Sequence, residues 1–239
     1  MTFKEKAREL GIELNESQLQ CFDRFYEMLV ERNKVMNLTA VTEYEMVVDK
    51  HFIDSMSIIK CINMSEIDTM IDIGTGAGFP SIPLKILFPR IHMTLLDSLN
   101  KRLAFLNEVI KELMFDNIQT LHARAEDAAH MANCRQQFDL AVSRAVADLS
   151  VLSEYALPFV KKGGFFAAYK AADIDEETNR AKKAIQMMGG RIEKTSSFSL
   201  PGSDLERSII CVRKIRQTPD KYPRKAGTPL KAPLGVKSE

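Results

Sequence analysis

Residues 72–80 of this 239-residue chain read DIGTGAGFP, so glycine occupies every second position from Gly74 to Gly78. This loop follows the apolar residues 70–73 directly and precedes a helical pattern, which predicts the first strand-to-helix turn of an α/β sheet. Glycine suits such a turn because the backbone can bend tightly and approach a ligand without Cβ atoms in the way. The loop therefore predicts both a fold class and a ligand site.

Around the loop, short apolar runs alternate with longer amphipathic segments from Ile67 to Val212. Such alternation is typical of a mostly parallel sheet covered by helices on both faces. The strands are expected at residues 70–73, 93–97, 118–121, 138–142, 165–169 and 208–212. Residues 65–214 are therefore expected to form one α/β domain.

The two ends of the chain follow other patterns. Residues 1–64 are expected to form a small helical region, because Thr2 and Asn15 begin capping boxes and apolar residues recur at helical spacing. Residues 215–239 are basic and rich in proline, so no helix or interior strand suits them. This tail is either a cationic arm that contacts phosphate groups or a disordered, solvated segment.

Composition excludes several classes of protein. The 33 basic residues nearly cancel the 32 acidic ones, so net charge alone does not indicate a nucleic-acid binder. The four cysteines form no CxxC pair, so neither a metal site nor a disulfide framework is expected. The first twenty residues contain no apolar run that suits a signal peptide or a membrane span. We therefore expect a cytoplasmic protein without a metal.

The spacing of the loop narrows the ligand class. A dinucleotide fingerprint reads G-x-G-x-x-G, whereas this loop reads G-x-G-x-G, so a nicotinamide enzyme is disfavoured. S-adenosylmethionine carries an amino-acid moiety and a sulfonium charge, which suit the acidic Asp72 before the first glycine. Asp97 ends the next strand, where a carboxylate can accept hydrogen bonds from ribose hydroxyls. The alternatives are a purely structural turn and a helix cap.

Further candidates follow the third and fourth strands and lie in the helical region. A backbone amide of Ala125 or Glu126 could meet an adenine edge, or the acids there only begin a helix. Arg144 could hold a phosphate, a base edge or a cofactor carboxylate, or form a surface ion pair. His51 and Asp54 could cover the mouth of the site, or pack inside a helix against the sheet.

Taken in order, these segments resemble the bacterial small-subunit ribosomal RNA methyltransferase family RsmG, also called glucose-inhibited division protein B. The matching segments are residues 37–39 (NLT), 51–55 (HFIDS), 72–83 (DIGTGAGFPSIP), 97–102 (DSLNKR), 124–126 (RAE), 143–147 (SRAVA) and 221–229 (KYPRKAGTP). They span nearly the whole chain. The glycine loop alone would indicate only a methyltransferase, but the ordered set is specific to this family.

The resemblance implies a Rossmann-like class I methyltransferase fold, with a mostly parallel seven-stranded sheet. It also implies methyl transfer to N7 of a guanosine in 16S ribosomal RNA, at position 527 by ribosomal RNA convention. Guanine N7 bears an unprotonated lone pair, so no catalytic proton-transfer residue is expected. With the loop residues included, the expected S-adenosylmethionine contacts are Asp72, Gly74, Gly76, Gly78, Phe79, Asp97, Ser98, Ala125, Glu126 and Arg144.

Basic residues after the strand ends and in the tail are expected to face the RNA, and a monomer is expected. The RNA-binding candidates are Lys101, Arg102, Arg124, Lys170, Lys221, Arg224 and Lys225. Two alternatives stay open. One is a small-molecule or protein methyltransferase on the same fold, for which the basic tail would bring no benefit. The other is a non-catalytic RNA-binding module with a vestigial cofactor pocket.

Overall fold

The computed structural model describes residues 1–144, 146–171 and 174–235, and its centre is a seven-stranded sheet. The strands are β1 (Thr69–Ile73), β2 (His92–Asp97), β3 (Ile118–His122), β4 (Phe138–Arg144), β5 (Val160–Ala171), β6 (Gly190–Ser199) and β7 (Glu206–Lys214). Their order is β3-β2-β1-β4-β5-β7-β6. All neighbours pair in parallel except β7, which is antiparallel to β5 and β6. The predicted Rossmann-like, mostly parallel sheet is confirmed.

Six strands lie where the sequence pattern predicts them, whereas β6 has no counterpart in that prediction. β6 lies at the sheet edge and pairs only with β7. Most of its residues are exposed or half-buried, and Ile192 and Phe198 are among its few large apolar residues. Because an edge strand needs little apolar surface, the alternation that identifies a half-buried strand is weak there.

Ten α-helical segments surround the sheet in the described part of the chain. They are α1 (Phe3–Glu9), α2 (Glu16–Met36), α3 (Tyr44–Val47), α4 (Asp54–Met56), α5 (Ser81–Leu87), α6 (Asn100–Glu112), α7 (Ala125–Ala128), α8 (Leu149–Ala156), α9 (Asp175–Met187) and α10 (Thr228–Lys231). Thr2 and Asn15 form the expected capping boxes with Glu5 and Gln18. None of these helices has the length and apolar character needed to cross a membrane.

The N-terminal helices pack directly against the glycine loop. A π-helical turn, Val48–Ile53, joins α3 to α4, so residues 44–56 form one irregular helical segment. Phe25 and Phe52 are completely buried, and their ring centroids lie 5.3 and 6.2 Å from that of Phe79. The N-terminal region and the loop therefore belong to one apolar cluster.

The expectation that no helix suits the tail is wrong, because α10 lies within it. Pro229 occupies the first turn of α10, where its missing N–H removes no helical hydrogen bond. Tyr222 is buried within the main core cluster, so the described tail is packed against the domain. Residues 236–239, which include the basic Lys237, lie outside the described part, as does Ala145.

Candidate functional site

A cleft of about 550 Å³ opens at the carboxyl ends of the central strands. Ligands of open α/β sheets bind at this edge, because the strand-to-helix loops there diverge. The loops after β1 to β4 line it together with parts of the N-terminal region and the tail. The lining residues include Thr39, His51, Gly74, Thr75, Gly76, Phe79, Asp97, Ser98, Arg102, Arg124, Ala125, Glu126, Arg144, Val146, Tyr155, Gly227 and Leu230.

Eight of the ten residues expected to contact a cofactor line this cleft, and the other two, Asp72 and Gly78, lie behind the loop. Asp72 is completely buried and accepts a hydrogen bond of 2.7 Å from the hydroxyl of Ser81. Burial raises its pKa to about 7. A Cβ at Gly78 would lie 2.6 Å from Ile82, which indicates that this glycine serves helix packing.

The glycine loop is tied to the end of β2. The amides of Gly74 and Thr75 donate to the carbonyl of Leu96 at 2.8 and 3.0 Å, and the Gly76 amide donates to Asp97 Oδ2 at 3.0 Å. Gly76 has φ +60°, and a Cβ there would meet no atom closer than 3.9 Å. The loop therefore presents bare backbone to the cleft at Gly76.

Asp97 is the most engaged carboxylate of the cleft, with only 3% of its surface exposed. Besides the Gly76 amide, it accepts hydrogen bonds from the Leu99 amide at 2.9 Å and from Arg102 Nη1 at 3.3 Å. A carboxylate has about four acceptor positions, so one is left for a ligand hydroxyl. Arg102 is partly exposed, and movement of its side chain would free another acceptor position of Asp97.

Arg144 forms a partly buried junction rather than a surface ion pair. Its Nη1 donates to Asp54 Oδ2 and to the carbonyl of Lys50, both at 2.9 Å. Its guanidinium carbon lies 5.1 Å from the centroid of the Phe79 ring. Arg207 donates to the other oxygen of Asp54 at 3.2 Å. One buried carboxylate therefore holds two arginines at the carboxyl edge of the sheet.

His51 lies in the π-helical turn and stacks on Phe79, with 4.5 Å between ring centroids and 26° between planes. Its Nε2 lies 2.9 Å from Thr39 Oγ1, and its Nδ1 lies 2.9 Å from the carbonyl oxygen of Lys50. Burial and the nearby Arg144 lower its pKa to about 4. The histidine is satisfied within the helical region and also lines the cleft.

The opposite wall of the cleft combines α7, α8 and the tail. Glu126 is nearly buried, and its Oε1 accepts a hydrogen bond of 2.9 Å from the amide of Gly227. Tyr155 of α8 and Leu230 of α10 complete this wall. Sequence reasoning assigned a role to Glu126 but none to Gly227, Tyr155 or Leu230. Gly227 lies within the tail motif of residues 221–229, but no local pattern indicates that the motif folds back to the cleft.

A second cleft of about 500 Å³ adjoins the first and shares His51 and Arg144 with it. Its wall carries more cationic than anionic side chains. The lining residues are Lys50, His51, Asp54, Arg144, Tyr169, Lys170, Ala171 and Arg207. The two clefts together form a continuous path from the glycine loop to the ends of β4, β5 and β7.

The seven RNA-binding candidates fall into two groups. Lys101, Arg124, Lys221 and Lys225 are exposed, and Arg102 is half-exposed beside Asp97. The other two cations bind within the protein. Lys170 donates to Glu177 at 2.5 Å and to the carbonyl of Ala147 at 2.8 Å. Arg224 binds both oxygens of Glu154.

The cleft fits an adenosine derivative with an amino-acid group. Its volume lies within the range of small-molecule sites, roughly 300–1,000 Å³. Val146 and Leu230 supply exposed apolar surface, and Asp97 supplies a free acceptor position. Thr75 Oγ1 is buried and has no hydrogen-bond partner within residues 1–144, 146–171 and 174–235.

In the same residues, no group of three or more His, Cys, Asp and Glu side chains could hold a metal ion.

Comparison with known proteins identifies relatives along nearly the full length. A family model described as rRNA small subunit methyltransferase G matches residues 18–210, so Gly227 and Leu230 lie beyond that match. The Ribosomal RNA small subunit methyltransferase G of Lachnoclostridium phytofermentans is 51% identical and covers 98% of this chain and 96% of its own. The protein of the same name from Bacillus subtilis (strain 168) is 47% identical, with 97% of each chain covered.

Solved structures of lower identity share the fold. NSun6 from Pyrococcus horikoshii with SFG has a TM-score of 0.54 at 14% identity, covering 71% of this chain and 53% of that one. The Methanococcus jannaschii fibrillarin pre-rRNA processing protein has a TM-score of 0.50 at 15% identity, covering 62% and 67%. These similarities support the mostly parallel, Rossmann-like sheet described above.

Proposed function

Because the chain belongs to the rRNA small subunit methyltransferase G family, we propose that it transfers a methyl group from S-adenosylmethionine to N7 of a guanosine in 16S ribosomal RNA. The observation that carries this proposal is the pairing of two adjoining clefts. One has the glycine loop and Asp97, and the other is lined by cations, with Arg144 between them.

S-adenosylmethionine binds in the larger cleft. The backbone at Gly74 and Gly76 lies against the methionine portion, and Asp97 accepts a hydrogen bond from a ribose hydroxyl. Ser98 and the start of α7 at Ala125 and Glu126 border the adenosine portion. Asp72 and Gly78 act behind the loop and maintain its shape.

The target nucleotide enters the second cleft. Arg207 and Lys50 border this cleft and attract the phosphates beside the target, while Tyr169 forms part of its wall. Arg144 faces both clefts, so the methyl donor and the guanine meet beside it. The exposed Lys101, Arg124, Lys221 and Lys225 extend the cationic surface outside the clefts.

Alignment accounts for the chemistry in this proposal. When bound, S-adenosylmethionine supplies an electrophilic methyl group on a sulfonium. The residues around Arg144 hold the guanine so that N7, the methyl carbon and the sulfur are in line. Precise orientation of two reactants contributes roughly 7–11 kcal/mol in favourable cases. Guanine N7 carries no proton at neutral pH, so no residue has to remove one before attack.

We further propose that the protein acts in the cytoplasm, where ribosomal subunits are assembled, and that it acts as a monomer. Lys170 and Arg224 bind Glu177 and Glu154, so their contribution to RNA binding is smaller than that of the exposed lysines. The basic tail still adds Lys221 and Lys225 to the RNA-facing surface.

The test is methyl transfer from labelled S-adenosylmethionine to small-subunit RNA from cells that lack the activity, with mass spectrometry of the modified nucleoside. A single 7-methylguanosine is expected. Label in a protein or a small molecule, with none in RNA, would favour a methyltransferase of another substrate class. Cofactor binding without any transfer would favour a non-catalytic RNA-binding module.

A further inference from the structure

The tail after β7 crosses the molecule as a strap, defined here as residues 217–231, and returns to the cleft. Tyr222 is buried in the main core cluster. The carbonyls of Thr218 and Tyr222 each accept a hydrogen bond of 2.9 Å from Arg135, and that of Pro223 lies 3.0 Å from His130 Nε2. The strap is therefore attached to the body of the domain before it reaches the cleft.

The strongest attachment is the ion pair of Arg224 with Glu154 of α8. Glu154 is completely buried. Arg224 Nε and Nη2 lie 2.9 and 2.7 Å from its two oxygens, and the Arg224 amide donates to Oε1 at 2.7 Å. A buried carboxylate needs a counter-charge and hydrogen-bond donors, and Arg224 supplies both. The ion pair therefore fixes the position of the strap relative to α8.

Beyond Arg224 the strap turns into the adenosine side of the cleft. The Gly227 amide donates to Glu126 Oε1, and Leu230 follows on α10. Leu230 is 65% exposed and lines the cleft, although the neighbouring Pro229 is buried. An apolar side chain that faces a cleft gains a contact when a flat apolar ligand covers it.

We propose that the strap is part of the cofactor site, with Leu230 as a wall against the adenosine portion of S-adenosylmethionine and Arg224 as a positioning residue. This inference rests on the proposed function and adds a binding element beyond the glycine loop. It also divides the basic tail into two roles. Arg224 organises the cofactor site, whereas the exposed Lys221 and Lys225 face outward.

The first experiment measures binding to the full-length chain by calorimetry, with S-adenosylhomocysteine and 5′-methylthioadenosine as probes. Leu230→Asp is expected to weaken both roughly tenfold, because it replaces an apolar contact by a charge in the lining of the cleft. Met114→Asp is the matched control, since Met114 is an exposed apolar residue that lines neither cleft. Its affinities are expected to stay within about twofold of those of the unmodified chain.

Enzyme kinetics distinguish a positioning role of Arg224 from a purely structural one. Arg224→Lys keeps the charge opposite Glu154 but loses the two-pronged geometry. It is expected to raise the KM for S-adenosylmethionine at least roughly fivefold, with kcat and the KM for RNA nearly unchanged. An equal loss in kcat, or a change in the KM for RNA alone, would contradict the positioning role.

Trypsin provides a readout that does not depend on turnover. Cleavage after Lys225 and Lys231 is expected to slow when S-adenosylhomocysteine is present, because the ligand covers Leu230 and holds the strap in place. Unchanged cleavage together with equal affinities of the Leu230→Asp variant and the unmodified chain would overturn the strap proposal alone. Failure of the unmodified chain to bind either probe would overturn the proposed function as well.

Discussion

Arg144 at the end of β4 and Asp54 at the start of α4 form an ion pair, with 2.9 Å between Nη1 and Oδ2. Arg207 of β7 shares the same carboxylate at 3.2 Å. This one buried acid connects the N-terminal helical segment to two strands of the sheet, next to Arg144, which lines both clefts.

Removing the shared carboxylate is expected to loosen both arginines. Asp54→Ala leaves Arg144 and Arg207 close together without a counter-charge, which costs about 3 kcal/mol of folding free energy. Denaturation in urea measures this loss. The Asp54→Asn variant keeps the shape of the side chain and one of its two acceptor oxygens, so a smaller loss is expected. Equal stability of the Asp54→Ala variant and the unmodified chain would contradict the role of Asp54 as the counter-charge of the two arginines.

The bare backbone at Gly76 is expected to be needed for the cofactor. Ala is strained at both Gly76 and Gly163, since φ is +60° and +91°, and neither Cβ would clash. Each change is expected to cost roughly 1–2 kcal/mol of stability. Only Gly76→Ala places its methyl in the cleft, so only this variant should lose affinity for S-adenosylhomocysteine. Parallel losses of affinity in both would show that strain alone is responsible.

Asp97 is expected to contribute to binding, not only to folding. Asp97→Ala removes the acceptor of the Gly76 amide and a free acceptor position, so cofactor affinity should fall roughly tenfold or more. Asp139→Asn is the control, because Asp139 binds Thr69 at the other end of the sheet. It should lower the melting temperature without changing cofactor affinity. A similar affinity loss in the control would point to a general loosening of the sheet.

Stability below neutral pH is expected to depend on His51. Its pKa is about 4 in the fold against an ordinary value of 6.5. Between pH 6.5 and pH 4, His51 therefore binds a proton in the unfolded chain but not in the folded chain. The contribution of His51 to the free energy of unfolding is lost as pH falls from 6.5 to 4. Lys50, Arg144 and Arg207 face the ring, whereas Asp54 opposes their charge.

A variant isolates this effect from other groups. Asp72 has the opposite effect on stability, because the fold raises its pKa to about 7. Its contribution to the free energy of unfolding therefore falls as pH rises from 3.8 to 7. His51→Gln should therefore lose less unfolding free energy than the unmodified chain between pH 6.5 and 4.5, as measured in urea. The same loss in both chains would mean that the fold does not lower the pKa of His51.

RNA binding is expected to weaken steeply with salt. Replacement of an exposed lysine that contacts a phosphate, such as Lys101 or Lys225, should lower the slope of log K against log salt by about 1 for each contact. Lys161→Ala provides the control, because Lys161 pairs with Asp139 at the end of the sheet away from the clefts. A flat salt response of the unmodified chain would exclude a phosphate-facing surface.

Sequence alone determined the central features, because they depend on local patterns. The glycine loop, the strand before it and the acid at the end of the next strand are each encoded within a few consecutive residues. Asp97 could be placed at the same edge of the sheet as the glycine loop, since the carboxyl ends of parallel strands meet at one edge. The capping boxes at Thr2 and Asn15 are local as well, and the structure contains both.

Tertiary structure alone decided which charges are available and what completes the cleft. Arg224 looked like a cation of a free tail, but Glu154, seventy residues earlier in the chain, binds it. Asp54 and Arg207 are separated by 153 positions, and Gly227 meets Glu126 across 101. Such pairs form because burial leaves a carboxylate in need of a partner, and packing of distant segments, not local pattern, supplies that partner.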